Sequence, residues 1–244
     1  MSASNNHIET HNEPNVDLDE IDKFNALAAR WWDPSGEFRA LHDINPARVK
    51  YILDRTDINA GPAIDVGCGG GILCEALAEA GADITGVDMA EKALGVAKLH
   101  AVENDVTVSY ESSTAEAIAK SKPNHYRTVS CLEMLEHVSD YPSTVQACAD
   151  MAQPGADLFF STINRNPKSY ALLILGAEYI MNILPRGTHD YSKFIKPAEL
   201  CRAITAAGLE VRDISGMTYN PFAKTCRIND DVDANYLVHA HKPA

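Results

Sequence analysis

Positive charge is scarce in this chain: 21 lysines and arginines stand against 34 aspartates and glutamates, a formal net charge of −13 over 244 residues. Such a surplus repels phosphate backbones and argues against broad electrostatic binding of nucleic acid, leaving room only for a small local basic patch. Paired cysteines are missing as well. The six thiols, Cys68, Cys74, Cys131, Cys148, Cys201 and Cys226, form no C-x-x-C pair and mostly sit inside apolar runs, the pattern of reduced, buried thiols in a cytosolic protein. No basic segment leads into an apolar one near residue 1, so no secretory signal is expected. Internal repeats are absent, and the one biased tract is residues 1–16, polar and without apolar periodicity, which is expected to be a disordered tail. No apolar run is long enough to span a bilayer. The most apolar, residues 169–184, would reach about 24 Å as a helix, short of the ~30 Å hydrocarbon core, and it contains Glu178.

What is present centres on Ala63-Ile64-Asp65-Val66-Gly67-Cys68-Gly69-Gly70-Gly71, followed at once by apolar residues at helical spacing over 72–78. A short apolar run, a glycine-rich turn and a helix make a strand end where the backbone can approach a ligand closely and the helix offers free N–H groups. Around it, strands are expected near 83–88, 106–111, 126–132, 157–162, 209–214 and 236–240. Helices are expected over 91–103, 114–120, 144–151 and 197–207. Strands and helices alternating at these lengths predict an α/β fold, a doubly wound Rossmann-like parallel sheet that binds ligands at the carboxyl ends of its strands. Residues 17–244 then form a single domain. Residues 17–60 make an N-terminal helical cap, with one helix from Asp17 to Trp31 and a second over 46–55, and residues 166–197 are an inserted apolar helical segment after the fifth strand. Trp31 and Trp32, adjacent at the end of the first helix, fit either plain core or a lid over the site.

The turn lacks the G-x-G-x-x-G spacing of hydride-transfer enzymes. Instead Asp65 stands two positions before Gly67, and the stretch resembles the D-x-G-x-G-x-G signature of Rossmann-like S-adenosylmethionine-dependent methyltransferases. That cofactor carries an ammonium and a sulfonium in place of a pyrophosphate, so carboxylates beside it are useful. Asp88 lies 21 positions past Gly67, near the ~20-residue spacing at which an acid accepts hydrogen bonds from a ribose diol.

A closer resemblance is carried by Arg30-Trp31-Trp32-Asp33, Leu41-His42-Asp43-Ile44-Asn45-Pro46-Ala47-Arg48, Cys131-Leu132-Glu133-Met134-Leu135-Glu136-His137-Val138, Phe160-Ser161-Thr162-Ile163-Asn164-Arg165-Asn166 and Gly187-Thr188-His189-Asp190. These resemble the ubiquinone-biosynthesis O-methyltransferase family over nearly the whole chain. The resemblance implies two methylations of polyprenylated phenol or catechol intermediates, each turning a hydroxyl into a methoxy group. It also implies that Arg48, Gly67, Asp88 and Leu132 bind the cofactor, joining Asp65 and Gly69 of the signature. Two positions depart from the expected pattern: Arg127 stands where an aspartate is usual, and Gln153-Pro154-Gly155-Ala156 replaces a Lys-Pro-Gly-Gly turn.

A phenol with a pKa near ~10 is mostly protonated at neutral pH, so a general base or an acidifying metal helps the transfer. Glu133, Glu136 and His137 follow a strand end. If a helical turn begins there, they come together as a divalent-cation site, for Mg²⁺ or a similar ion, like the E-x-x-E-H motif of related eukaryotic members and of a group of RNA-end methyltransferases. The alternative is that the glutamates cap a helix or pair with lysines while His137 packs beneath the sheet. Glu133 and His189 are the candidate bases, although a His beside an Asp on a loop is as often simply solvated. The apolar residues 169–184 are flanked by Arg165, Lys168 and Arg186. They suit an interfacial helix on an anionic membrane surface, through which an otherwise cytoplasmic enzyme would collect its prenylated substrate at the inner face of the plasma membrane. A lid or a dimer contact is the competing reading. Other quinone-biosynthesis enzymes are candidate partners. Two other functions share some of these features: an RNA-end 2′-O-methyltransferase, which should bring a basic groove, and a non-catalytic membrane-associated scaffold, which would not need the acid, the glycines and Asp88 together.

Overall fold

The computed structural model describes residues 15–170 and 190–244. Helix α1 (Leu18–Leu27) starts where Asp17 accepts hydrogen bonds from the N–H groups of Asp19 and Glu20, with those two acids in the first turn facing the positive end of the helix. Asn15, at the end of the expected tail, is tied down instead: its side chain donates to the Asp140 carbonyl at 2.8 Å and accepts from the Asp140 N–H at 2.8 Å. Helix α2 (Arg39–Leu53) begins seven residues before Pro46, the residue that marked its expected start. Proline is tolerated inside this helix at the cost of one backbone hydrogen bond.

Strand β1 (Ala63–Val66) and helix α3 (Ile72–Glu79) flank the glycine turn, followed by β2 (Ile84–Asp88), α4 (Glu91–Glu103), β3 (Ser109–Ser112), α5 (Ala115–Ser121) and β4 (Tyr126–Leu132). Then come α6 (Tyr141–Met151), β5 (Ala152–Ile163), the single turn α7 (Pro167–Ser169), α8 (Pro197–Ala206), β6 (Glu210–Asn220), β7 (Thr225–Asn229) and β8 (Asn235–His241). The strands form one sheet in the order β3-β2-β1-β4-β5-β8-β6-β7. Its first five strands are parallel, as the alternating pattern predicts. The last three are antiparallel, and β7 is a strand with no counterpart in the expected set. It alternates exposed and half-buried residues, as an edge strand covered on one face does, so it carries no continuous apolar run to be read.

All four residues of β1 are buried, and β5 is buried from Ala156 to Ile163. Apolar clusters fill both faces of the sheet, one around Ile64, Val129, Leu158 and Phe160 and one around Ile52, Leu77, Leu94 and Phe159. Arg127, the departure from the family pattern, lies at the amino-terminal end of β4, away from the glycine turn. There it donates to the Gly155 carbonyl and sits 3.2 Å from Asp157. Among the described residues no helix is long and apolar enough to cross a membrane. Residues 171–189, most of the expected insertion and His189 with it, lie outside the described residues.

Candidate cofactor and active site

At the carboxyl ends of β1, β2 and β4 a pocket opens between the glycine turn and α1. Its wall includes Glu20 and Phe24 of α1, Arg48 of α2, Asp65 to Gly69, Asp88 to Ala90, Ser113 to Glu116 and Leu132 to Met134. The turn requires glycine for two reasons. Gly67 and Gly69 take φ of +76° and +53°, a region that costs an L side chain about 1–2 kcal/mol. A Cβ on Gly69 or Gly70 would also run into the Trp31 indole, and one on Gly67 into Met134. Trp31 is therefore both core and cover, because it is 5 % exposed and its ring lies on the turn. Trp32 fastens the same segment by donating from Nε1 to the Gly70 carbonyl at 2.9 Å and stacking on His100 with ring centres 3.4 Å apart.

The charged groups of the pocket are placed with care. Arg48 is 6 % exposed, and its Nε and Nη2 have no hydrogen-bond partner. Glu133 Oε1, 3.7 Å from Nη2, answers part of the charge without a hydrogen bond, and the donors still open suit the carboxylate of an amino-acid moiety. Asp65, 4 % exposed, accepts a 2.6 Å hydrogen bond from Ser130. Burial pushes its carboxyl up to about 6, against the lowering pull of Ser130 and Arg48. An incoming ammonium would find there a carboxylate whose charge water does not screen. Asp88 accepts from the N–H groups of Gly69 and Ala90, both at 2.8 Å. Burial raises its pKa while those backbone donors oppose the rise. The donors fix its orientation and leave further lone pairs for a diol. Arg48, Asp65, Gly67, Gly69, Asp88 and Leu132 all line this one pocket, so these residues suit S-adenosylmethionine.

Glu133, Glu136 and His137 do not assemble as metal ligands. After β4 the chain forms only a short turn at Leu135–His137, and the three side chains diverge. Glu136, 4 % exposed, accepts from Thr162 Oγ1 at 2.7 Å inside the core. His137 Nδ1 pairs with Glu20 of α1 at 2.9 Å. Glu133 is held by Ser161 Oγ at 2.7 Å and Asn235 Nδ2 at 2.9 Å. Among the described residues no group of three His, Cys, Asp or Glu side chains could hold a metal ion. With these separate partners, the described residues lend the expected divalent-cation site no support. Of the three residues, Glu133 and His137 line the pocket.

Sequence reasoning missed Glu20, Ser161 and Asn235. Ser161 lies within a stretch that carries the family resemblance, whereas nothing in the sequence singles out Glu20 or Asn235. His189, the second candidate base, cannot be placed because it lies outside the described residues.

Comparison with known proteins follows the same lines. A family model described as a methyltransferase domain matches residues 15–214. The chain is 56% identical over 224 residues to the ubiquinone biosynthesis O-methyltransferase of Nitrosospira multiformis, covering 92% of this chain and 94% of that one. It is 54% identical to the protein of the same name from Saccharophagus degradans, over 96% and 99% of the two chains. Among solved structures, magnesium protoporphyrin IX methyltransferase from Synechocystis with bound SAH shares the fold with a TM-score of 0.69 at 21% identity, covering 92% of this chain and 99% of that chain.

Proposed function

We infer that this chain, which belongs to the ubiquinone biosynthesis O-methyltransferase family, transfers a methyl group from S-adenosylmethionine to a phenolic oxygen of a polyprenylated intermediate in ubiquinone biosynthesis. The names of its relatives favour this small-molecule reaction over the RNA-end and scaffold readings. The observation that carries the cofactor half is the buried pair of opposite charges in one glycine-lined pocket: Arg48 with donors left open, and Asp65 buried beside the Ser130 hydroxyl. The cofactor supplies a methyl group on a positively charged sulfur. Arg48 receives its carboxylate and Asp65 serves its ammonium. Asp88 takes the ribose hydroxyls, Gly67 and Gly69 let the backbone come close, and Leu132 packs against it.

The acceptor must meet the methyl group with its proton removed. Glu133 stands on the pocket wall next to Arg48, with its Oε1 3.7 Å from Nη2, and it is the residue in reach to accept that proton. His189 is a second base in this reading. Trp31 and α1 exclude water from the cofactor side.

The prenyl chain keeps the substrate in a bilayer. Residues 169–184, apolar and flanked by Arg165, Lys168 and Arg186, bring the enzyme to the anionic inner face of the plasma membrane, where other quinone-biosynthesis enzymes are its neighbours. Two measurements test these halves. Calorimetry should show S-adenosylmethionine binding that weakens about tenfold or more in Arg48→Leu, the loss of a charge-assisted contact; unaltered affinity would remove Arg48 from the site. Flotation with anionic vesicles should carry the protein up, and less of it when the apolar residues are replaced by polar ones. Failure to float with any vesicle would discard the membrane contact while leaving the reaction intact.

A further inference from the structure

The sheet brings Glu133 together with two residues distant in sequence, Ser161 at 28 positions and Asn235 at 102. Leu132, the last residue of β4, pairs with Ser161 of β5, and Ile163 of β5 pairs with Asn235 at the start of β8. Glu133 therefore leaves β4 beside two neighbouring strands. It does so in the left-handed region, with φ of +53°, which is strained for a residue with a side chain and concentrates at functional sites. The Ser161 hydroxyl holds this turn from both sides: it accepts from the Glu133 N–H at 3.0 Å and donates to Glu133 Oε1 at 2.7 Å. Asn235 Nδ2 donates to the other oxygen, Oε2, at 2.9 Å. Ser161 is fully buried. The carboxylate is thus fixed at both oxygens and at its backbone, while its side chain, 17% exposed, still borders the pocket. A carboxylate serving the core alone has no need to face the pocket; one that must meet a substrate oxygen gains from a fixed direction.

We propose that Ser161 and Asn235 are positioning residues that aim the Glu133 carboxylate at the acceptor hydroxyl. This rests on the methyl-transfer reading above. In the step they serve, the phenolic oxygen forms its bond to the methyl carbon as the sulfur–methyl bond breaks. The phenolic proton goes to Glu133 and the cofactor leaves as a neutral thioether. The carboxylate keeps lone pairs free for that proton, since each of its oxygens accepts only one bond from these donors.

The test compares Ser161→Ala, Ser161→Thr and Asn235→Leu with the parent enzyme, using S-adenosylmethionine and a short-chain demethylated quinol. Calorimetry with the cofactor alone provides a second readout, and thermal melting verifies that each variant is folded. Ser161→Ala and Asn235→Leu should lower kcat about ten- to a hundredfold, the range of a lost hydrogen bond to a charged group. Their cofactor Kd should stay within about threefold of the parent value, a loss confined to the transition state. Ser161→Thr, which keeps the hydroxyl, should recover most of the rate. A kcat within about twofold of the parent value in either truncated variant overturns the proposal. So does a cofactor affinity that falls in step with kcat, since Glu133 would then be anchoring Arg48 for the cofactor. A parent enzyme that transfers no methyl group at all instead marks failure of the underlying reading, and the proposal falls with it.

Discussion

Asp65 shows how burial becomes a measurable pH dependence. Desolvation raises its carboxyl from 3.8 to about 6, so between those values folding requires a proton that the unfolded chain has already released. The residue accordingly favours the folded state at low pH and withdraws that support as pH rises through about 6. Cofactor binding has the opposite sign, because an ammonium prefers the ionised carboxylate. Affinity for S-adenosylmethionine should be flat above about pH 7, halve near pH 6 and weaken by up to about tenfold at pH 5, and Asp65→Asn should flatten that profile while lowering affinity throughout. Titration calorimetry across this range checks it. Gly69 offers a second test at this scale. Gly69→Ala must hold φ near +53° and displace Trp31, so its melting temperature should fall by the equivalent of about 1–3 kcal/mol, with weaker cofactor binding. The glycines and Asp65 were legible because one turn holds them together, and Asp88 because its spacing from Gly67 is that of a ribose-binding acid. Ser161 and Asn235 were not, since only strand pairing brings them to Glu133.

At the scale of elements, α1 is a cover held by ion pairs. Glu20 meets His137 at 2.9 Å, and Lys193 meets Asp17 at 2.8 Å. The His137 hydrogen bond holds Glu20 down at about 2. Burial alone would lower the pKa of His137, but Glu20 and Glu136 outweigh it and the net shift is upward. The clasp is therefore at full strength between the unfolded values, 4.5 for Glu20 and 6.5 for His137. It is lost on the acid side as pH falls toward about 2, and on the alkaline side as pH rises through the raised pKa of His137. Glu20→Gln should cost about 2 kcal/mol or less, speed cofactor release and expose α1 to protease; stopped-flow displacement of the cofactor reads the release rate. The periodicity of α1 and its Asp17 cap were visible in the sequence. The contact that holds it in place was not, because the partner of Glu20 is a residue whose neighbours in the chain suggested a metal. The start of α2 was misplaced for a related reason: Pro46 usually opens a helix, and here it is accommodated within one.

Across the whole molecule, the sheet separates function from stability. Its carboxyl edge carries the pocket, while near its amino edge Asp157 gathers His239 at 3.0 Å, His241 at 3.2 Å, Arg127 at 3.2 Å and Thr56 at 3.1 Å, tying β4, β5 and β8 together. Burial opposes its charge, but these partners prevail and hold it at about 2. Its contribution is present above 3.8 and disappears as pH falls toward 2. Asp157→Ala should destabilise the fold by about 3 kcal/mol, leaving Arg127 and the histidines without their acceptor, with cofactor affinity unchanged. Denaturant unfolding at pH 7 measures the first and calorimetry the second. The parallel half of the sheet followed from alternating apolar runs; the antiparallel edge did not, because short strands with one covered face leave only weak patterns. The proposed methyl transfer brings cofactor and acceptor together in one pocket. The direct measurement is transfer of a labelled methyl group from S-adenosylmethionine to a short-chain demethylated quinol, followed by mass spectrometry. The structure predicts a methoxy product formed in step with the demethylated cofactor. Tight cofactor binding with no methylated quinol would contradict it.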